Sequence, residues 1–322
     1  MENKKEHFIS VFTKKAHESD IVKRLYANSA YCMAVDNNVF SGIMPDNFRN
    51  MFLNGRGNEL TGKACAVYSS SMLSYNFFHW ISPSNPLYLF GHQYTKVYFE
   101  VQLPTLQGST PANMDVVLEE IHQDGKRTLL FIESKFTEHF SNANSKMMEM
   151  SKNSYSKRNN KFPYYPSNGK CFETWRSIIK KFADESQTNE GYYDGIKQEI
   201  CHFLALSNLK ADSKACKDYK ELYKGKSEVE HPTINGDEEF LFYNILFDAA
   251  ECFFESDKFV AYQTLYKKLQ SELSSLNNNI TAEIHSYRDI FDSIKDSKTV
   301  PQNLISYLNE RYMQYSKQSQ CV

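Results

Sequence analysis

Hydrophobic and polar positions divide the chain into stretches of different period. Over residues 1–30, Ile9, Phe12, Ala16, Ile21, Leu25 and Tyr26 recur near helical spacing and predict a helical lead-in. Residues 42–63 hold Gly42, Pro45, Gly55, Gly57 and Gly62 and read as loop. The run ACAVYSSSMLSYNFFHWI, 64–81, is apolar, ends at Ser82-Pro83 and predicts a buried helix. The period then changes. In KVYFEVQL, 96–103, Val97, Phe99, Val101 and Leu103 take one face and Tyr98, Glu100 and Gln102 the other, as in a strand. NMDVVLEE (113–120) and TLLFIESK (128–135) predict two more strands, and Asp124-Gly125 between them signals a hairpin. Helical spacing returns over 191–209 through Ile196, Ile200, Phe203, Leu204 and Leu206. EEFLFYNILF, 238–247, is too short and too aromatic for a helix and predicts a buried strand. From 257 onward the pattern is helical, including ITAEIHSYRDIFDSI and NLISYLNERYMQY.

Composition narrows the function classes. Hydrophobic residues make up 41% and charged residues 24%, which is globular usage and excludes collagen and a disordered chain. A net charge of −2 excludes a protein that coats nucleic acid by bulk charge, but it averages over local patches. One such patch is 146–181, where nine basic residues face two acidic ones, with Tyr155, Tyr164, Tyr165, Phe172 and Trp175 interleaved. Lys152, Lys157, Arg158 and Lys161 are its candidates for phosphate contacts, and the aromatics are candidates for base stacking. The seven cysteines are odd in number and include no Cys-x-x-Cys pair, so free thiols are expected rather than a disulfide framework or zinc finger. No apolar stretch approaches the ~18 residues of a membrane span, and no signal peptide is visible. The expectation is a cytoplasmic protein without a membrane partner.

The chemistry concentrates on the predicted hairpin. Residues two apart on a strand share a face, so Glu133 and Lys135 point the same way, and Asp115 on the neighbouring strand joins them if the register permits. Two carboxylates suit Mg²⁺, which takes few protein oxygens and keeps several waters. A nearby ammonium can orient a water and stabilise phosphoryl charge.

Asn113-Met114-Asp115, Ile132-Glu133-Ser134-Lys135 and the helix–strand–strand–strand–helix–strand order around them resemble the PD-(D/E)XK nucleases, the restriction-endonuclease-like superfamily. The resemblance covers roughly 64–247, with Met114-Asp115 standing at the Pro-Asp of the signature. It implies an α/β (α+β) fold with an αβββαβ core and a mixed four-stranded sheet flanked by helices. The expected organisation is a lead-in over 1–63, a nuclease-like core over 64–250 with the basic insertion 136–190, and a helical segment over 251–322 packed on the core. The resemblance further implies a Mg²⁺- or Mn²⁺-dependent endonuclease acting on DNA, with RNA as the alternative substrate and a homodimer as a possible state. Asp115 and Glu133 would be metal ligands, Lys135 the water-positioning residue, Glu100 a further ligand and Gln198 a polar helix residue facing the site. The superfamily often adds an acidic residue from the first helix; the 64–81 helix has none, so Glu100 or Glu59 would have to serve. His202, one turn from Gln198, reads as a satisfied core histidine, Asn76 as a buried polar contact, and Cys201-His202 lacks partners for a metal. Two other readings are an inactive nucleic-acid-binding protein of the same fold and a helical interaction protein; the intact Asp115, Glu133 and Lys135 oppose the first and the period-two strands the second.

The nuclease reading makes one demand on geometry. A two-residue Asp124-Gly125 loop would set Asp115 opposite Ser134 and turn it away from Glu133. A three-residue loop, Gln123-Asp124-Gly125, pairs His122 with Lys126 and sets Asp115 opposite Glu133, and a five-residue loop centred on Asp124 keeps the same register.

Overall fold

The computed structural model of the chain describes residues 4–22, 24–55, 59–137, 177–178, 180–182, 184, 196–247, 257–274 and 279–314. Helices α1 (Lys4–Glu18), α2 (Asp46–Asn54) and α3 (Ser70–Phe78) lead into a small hairpin, β1 (Leu87–Leu89) and β2 (His92–Tyr94). Strands β3 (Lys96–Leu103), β4 (Ala112–Ile121) and β5 (Arg127–Lys135) follow, then helices α4 (Ile196–Ala211) and α5 (Ser213–Tyr223). Strand β6 (Glu239–Leu246), helix α6 (Asp257–Ser274), strand β7 (Ile280–Ser286) and helices α7 (Tyr287–Ile294) and α8 (Gln302–Leu308) complete the order, with a π-helical turn at Asn309–Met313.

The main sheet runs β3-β4-β5-β6-β7. Its first three strands are antiparallel, and β6 and β7 add in parallel to β5. Helices cover both faces. Helix α4 lies on the face of Phe131, Glu133 and Lys135, where Phe203 meets Phe242 of β6 with ring centroids 6.3 Å apart. Helices α3 and α7 lie on the other face: Tyr287 packs on Phe77 at 4.7 Å, and its hydroxyl is 2.6 Å from that of Ser134. Burial on both faces explains the near-continuous apolar reading of β5 and β6. This is a mixed α/β architecture of restriction-endonuclease-like type.

Four segments differ from the sequence reading. ITAEIHS was read as part of a helix but forms β7, so the sheet has five strands and the segment beyond 251 is not purely helical. Its Ile280, Ala282 and Ile284 do alternate, as an edge strand requires. The glycine-marked loop contains α2, which buries Met51 and Phe52 and stacks Phe52 on Phe99 at 5.3 Å. The buried helix over 64–81 is shorter, beginning at Ser70 because the Ser69 side chain accepts from Met72 N–H and caps it. The stretch between 209 and 238, whose polar composition predicts a loop, holds α5, capped by Asp212.

Residues from the first and last described elements close the core beside β5. Phe12 of α1 packs on Phe136 (5.4 Å), Phe247 (6.3 Å) and Tyr312 (6.2 Å). The buried Arg311 guanidinium donates to Asn38 O at 2.9 Å and to the Asn38 and Tyr307 side chains, and stands 4.8 Å over the Tyr312 ring. Cys32, Cys65, Cys201 and Cys216 are free thiols. No helix among the described residues is long and apolar enough to cross a membrane. Lys152, Lys157, Arg158 and Lys161 lie outside the described residues.

Candidate active site

The β4–β5 hairpin sets the site. Its pairs run from Val116↔Ile132 through Val117↔Phe131 to Ile121↔Arg127. At the turn, His122 N–H donates to Lys126 O at 2.8 Å and Gly125 N–H to His122 O at 2.9 Å. The loop is therefore Gln123-Asp124-Gly125, with Gly125 at φ +82°, where glycine is least hindered. One step past Val116↔Ile132, this register sets Asp115 against Glu133, the arrangement the sequence argument required. On the other side, Phe99↔Val116 and Val101↔Met114 bracket Glu100 and Asp115. Glu100, Asp115 and Glu133 thus stand in a row across three adjacent strands.

Each of the three is fixed differently. Asp115 Oδ2 accepts from Ser134 N–H at 2.7 Å. Glu133 is buried and pairs through Oε1 with the buried Lys135 ammonium. Glu100 sits at φ +51°, a conformation that costs a non-glycine residue roughly 1–3 kcal/mol. Its neighbour across the packing is Gly55, where a Cβ would come within 2.9 Å of both Glu100 Cβ and Oε2. Gly55 is thus a glycine because Glu100 lies against it. Asn113, from the same strand as Asp115, donates to Glu100 Oε2 at 3.2 Å.

Helix α4 supplies the support from above. Lys135 Nζ donates to Gln198 Oε1 at 2.8 Å. His202, one turn further on the same helix face, brings Nδ1 to 3.1 Å from Glu133 Oε2. That approach is at ion-pair distance but off line for a hydrogen bond, and Glu133 Oε2 has no hydrogen-bond partner among the described residues. The sequence predicts a satisfied core histidine at 202, and the structure instead sets it against Glu133 of β5. Asn76 is a core residue, accepting from Phe40 N–H and donating to Asn38 O and the Tyr312 hydroxyl.

A cleft of about 500 Å³ opens over Asp115, Glu133, Lys135 and Gln198, with Glu59 and Lys63 on its rim. It adjoins a second hollow of about 450 Å³ that reaches Glu100, Asn113 and His202. Glu59 accepts from Ser71 Oγ and Lys63 Nζ, each at 3.2 Å, so both alternative acidic residues border the site.

The carboxylates titrate unequally. Burial, then Glu133 and Glu100, push Asp115 well above its ordinary range. Burial, then Glu59 and Glu133, push Glu100 up to about 8. Burial acts on Glu133 in the same sense, but the Lys135 ammonium and His202 outweigh it and hold its carboxyl at about 2. Two carboxyls that resist ionisation beside one that is ionised form a lining that a cation would relieve. Among the described residues no three His, Cys, Asp or Glu side chains make a finished metal cage. Asp115, Glu100 and Glu133 Oε2, which His202 approaches, are the oxygens such an ion would find, and an open, water-completed set of this kind suits a hard divalent cation.

A consequence for stability follows. A carboxyl whose pKa is raised in the folded state costs stability as pH climbs from its unfolded value, 4.5, toward about 8. Glu100→Gln is therefore expected to melt with the metal-free wild type near pH 4.5. Above pH 8 it is expected to melt higher by roughly 2 °C or more. Equal melting temperatures across that range would show that Glu100 bears no such burden.

Comparison with known families agrees with this geometry. No curated protein and no solved structure matches the chain. The family model described as restriction endonuclease associating with ARP matches residues 13–313, which take in the whole five-stranded sheet and every described side chain of the site. With Asp115, Glu133 and Lys135 gathered at the end of its central hairpin, the chain belongs to this restriction-endonuclease family.

Proposed function

We propose that the protein is a Mg²⁺- or Mn²⁺-dependent endonuclease that hydrolyses phosphodiester bonds in DNA. One observation carries the reading: Asp115 and Glu133 oppose each other across β4 and β5 while Lys135 shares their face in an open cleft. Asp115 and Glu133 would hold the cation, with Glu100 as a further ligand. When bound, the cation supplies Lewis-acid activation of water and neutralises phosphoryl charge. Lys135, held by Gln198 and Glu133, positions the attacking water and offers its positive charge to the phosphate oxygens. Gln198 and His202 act through Lys135 and Glu133 by fixing their rotamers. The attack breaks the bond from phosphorus to the leaving oxygen, which takes its proton from solvent. The family description carries an association with ARP, and the same association is proposed for this chain.

The test is a plasmid cleavage assay with Mg²⁺, Mn²⁺ and EDTA. Cutting with either metal and none with EDTA is expected. Binding without cutting under all three conditions would favour an inactive binding protein of the same fold.

The basic stretch belongs to the same proposal. Neutralising Lys157, Arg158 and Lys161 together is expected to weaken DNA binding. Each lost phosphate contact should reduce the log–log salt slope by about 0.9. An unchanged slope would remove this segment from the DNA.

A further inference from the structure

Residues 24–33 form a short ribbon beside the cleft. Leu25 bridges Cys32, Tyr26 N–H donates to Tyr31 O at 3.0 Å, and Met33 N–H donates to Arg24 O at 3.0 Å. The inner side carries the buried Cys32 and half-buried Leu25. Arg24, Tyr26, Tyr31 and Met33 are all exposed, with Tyr26 at 51%, Tyr31 at 42% and Met33 at 57%. Aromatic side chains gathered on an outer face mark a contact surface more often than chance.

The ribbon is locked to the cleft wall. Tyr31 bridges Ala66, flanked by Cys32 N–H to Cys65 O at 2.7 Å and Val67 N–H to Ala30 O at 2.9 Å. The Tyr31 hydroxyl lies 3.0 Å from that of Tyr68, and both tyrosines line the cleft that holds Asp115, Glu133 and Lys135. Tyr31 therefore belongs both to the exposed face of the ribbon and to the wall of the cleft.

We propose that this ribbon is a stacking platform for unpaired nucleobases of the strand entering the cleft. Tyr31 takes the base nearest the scissile phosphate, Tyr26 the next base outward, and Arg24 a backbone phosphate. The inference rests on the nuclease reading and deepens it, because it names the substrate as single-stranded or locally opened nucleic acid. In a closed duplex the base faces are covered by their neighbours and only edges reach the grooves, so the two exposed tyrosine rings cannot stack on bases there. On an opened strand every base offers a π-face, and a tyrosine orders few rotatable bonds to meet it.

The probe is a single-stranded oligodeoxynucleotide carrying 2-aminopurine, titrated in EDTA so that nothing is cut. The wild type is expected to quench its fluorescence. Tyr26→Ala and Tyr31→Ala should each weaken binding about fivefold or more and lose quenching. Tyr31→Phe, which keeps the ring, should behave as wild type. The tyrosine variants should leave the salt slope unchanged, whereas Arg24→Gln should lower it by about 0.7. Tyr26 is the more exposed of the two, so its alanine variant tests the platform even if Tyr31→Ala folds poorly. A wild type that cuts plasmid, without quenching and with alanine variants binding as tightly as itself, would overturn the platform and give the ribbon to a protein partner. A wild type that neither cuts nor binds would overturn the nuclease reading, and the platform with it.

Discussion

Lys135→Ala, Glu133→Ala and Asp115→Ala are each expected to lower DNA cleavage by at least about a hundredfold. Their effects on stability should diverge, and that divergence identifies a site rather than a structural cluster. Asp115 resists ionisation because of burial and two neighbouring carboxylates, so removing it relieves that burden and offsets the lost bond from Ser134 N–H, leaving stability near wild type. Lys135→Ala removes the ammonium that Glu133 pairs with and leaves a buried carboxylate with less compensation, so it should destabilise. Cleavage kinetics measured beside thermal melting separate the two effects. Wild-type rates in all three variants would sink the assignment.

Phe12→Ala should produce the largest loss of stability, about 3–5 kcal/mol, which is a fall in melting temperature of roughly 10 °C. Phe12 is 2% exposed and stands where four parts of the chain meet: α1, Phe136 just past β5, Phe247 just past β6, and Tyr312 in the terminal π-turn. Truncation empties the centre of that cluster, and the surrounding rings cannot all move inward. Because Phe136 follows Lys135 in the chain, cleavage should also weaken before the protein melts. A melting temperature within about 2 °C of wild type would show that the cluster repacks freely.

The parts of this fold that were readable in sequence are those in which local pattern and tertiary role coincide. Strand β3 alternates, β4 and β5 are short apolar runs on either side of the Asp124-Gly125 turn, and the register needed to join Asp115 with Glu133 follows from counting residues. Strand β7 was hidden for a local reason. It runs directly into Ser286, which caps α7 in a reciprocal arrangement with Asp289, so the helical signal of YRDIFDSI extended backward over it. Helix α2 was masked by the glycines around it, one of which, Gly55, is explained only by the approach of Glu100. His202 was unreadable because ICHFLAL looks like a core helix until β5 is laid against it. Glu100 was visible as a carboxylate, but its left-handed backbone was not, since nothing in KVYFEVQL departs from a regular strand.

The topology also dictates an order of assembly. Asp115 and Glu133 face each other across a hairpin closed by three residues, a contact that forms after a small entropic cost. The parallel partner of β5 pairs Thr128 with Glu239, and Arg311 reaches back to Asn38 near the other end of the chain. Contacts of such sequence separation form slowly, because a long loop must close before they contribute. Gln198, which holds the Lys135 ammonium, lies within that long connection. During folding the acidic pair can therefore be in register while the lysine beside it is still free to swing, so the three side chains of the site come together in two stages.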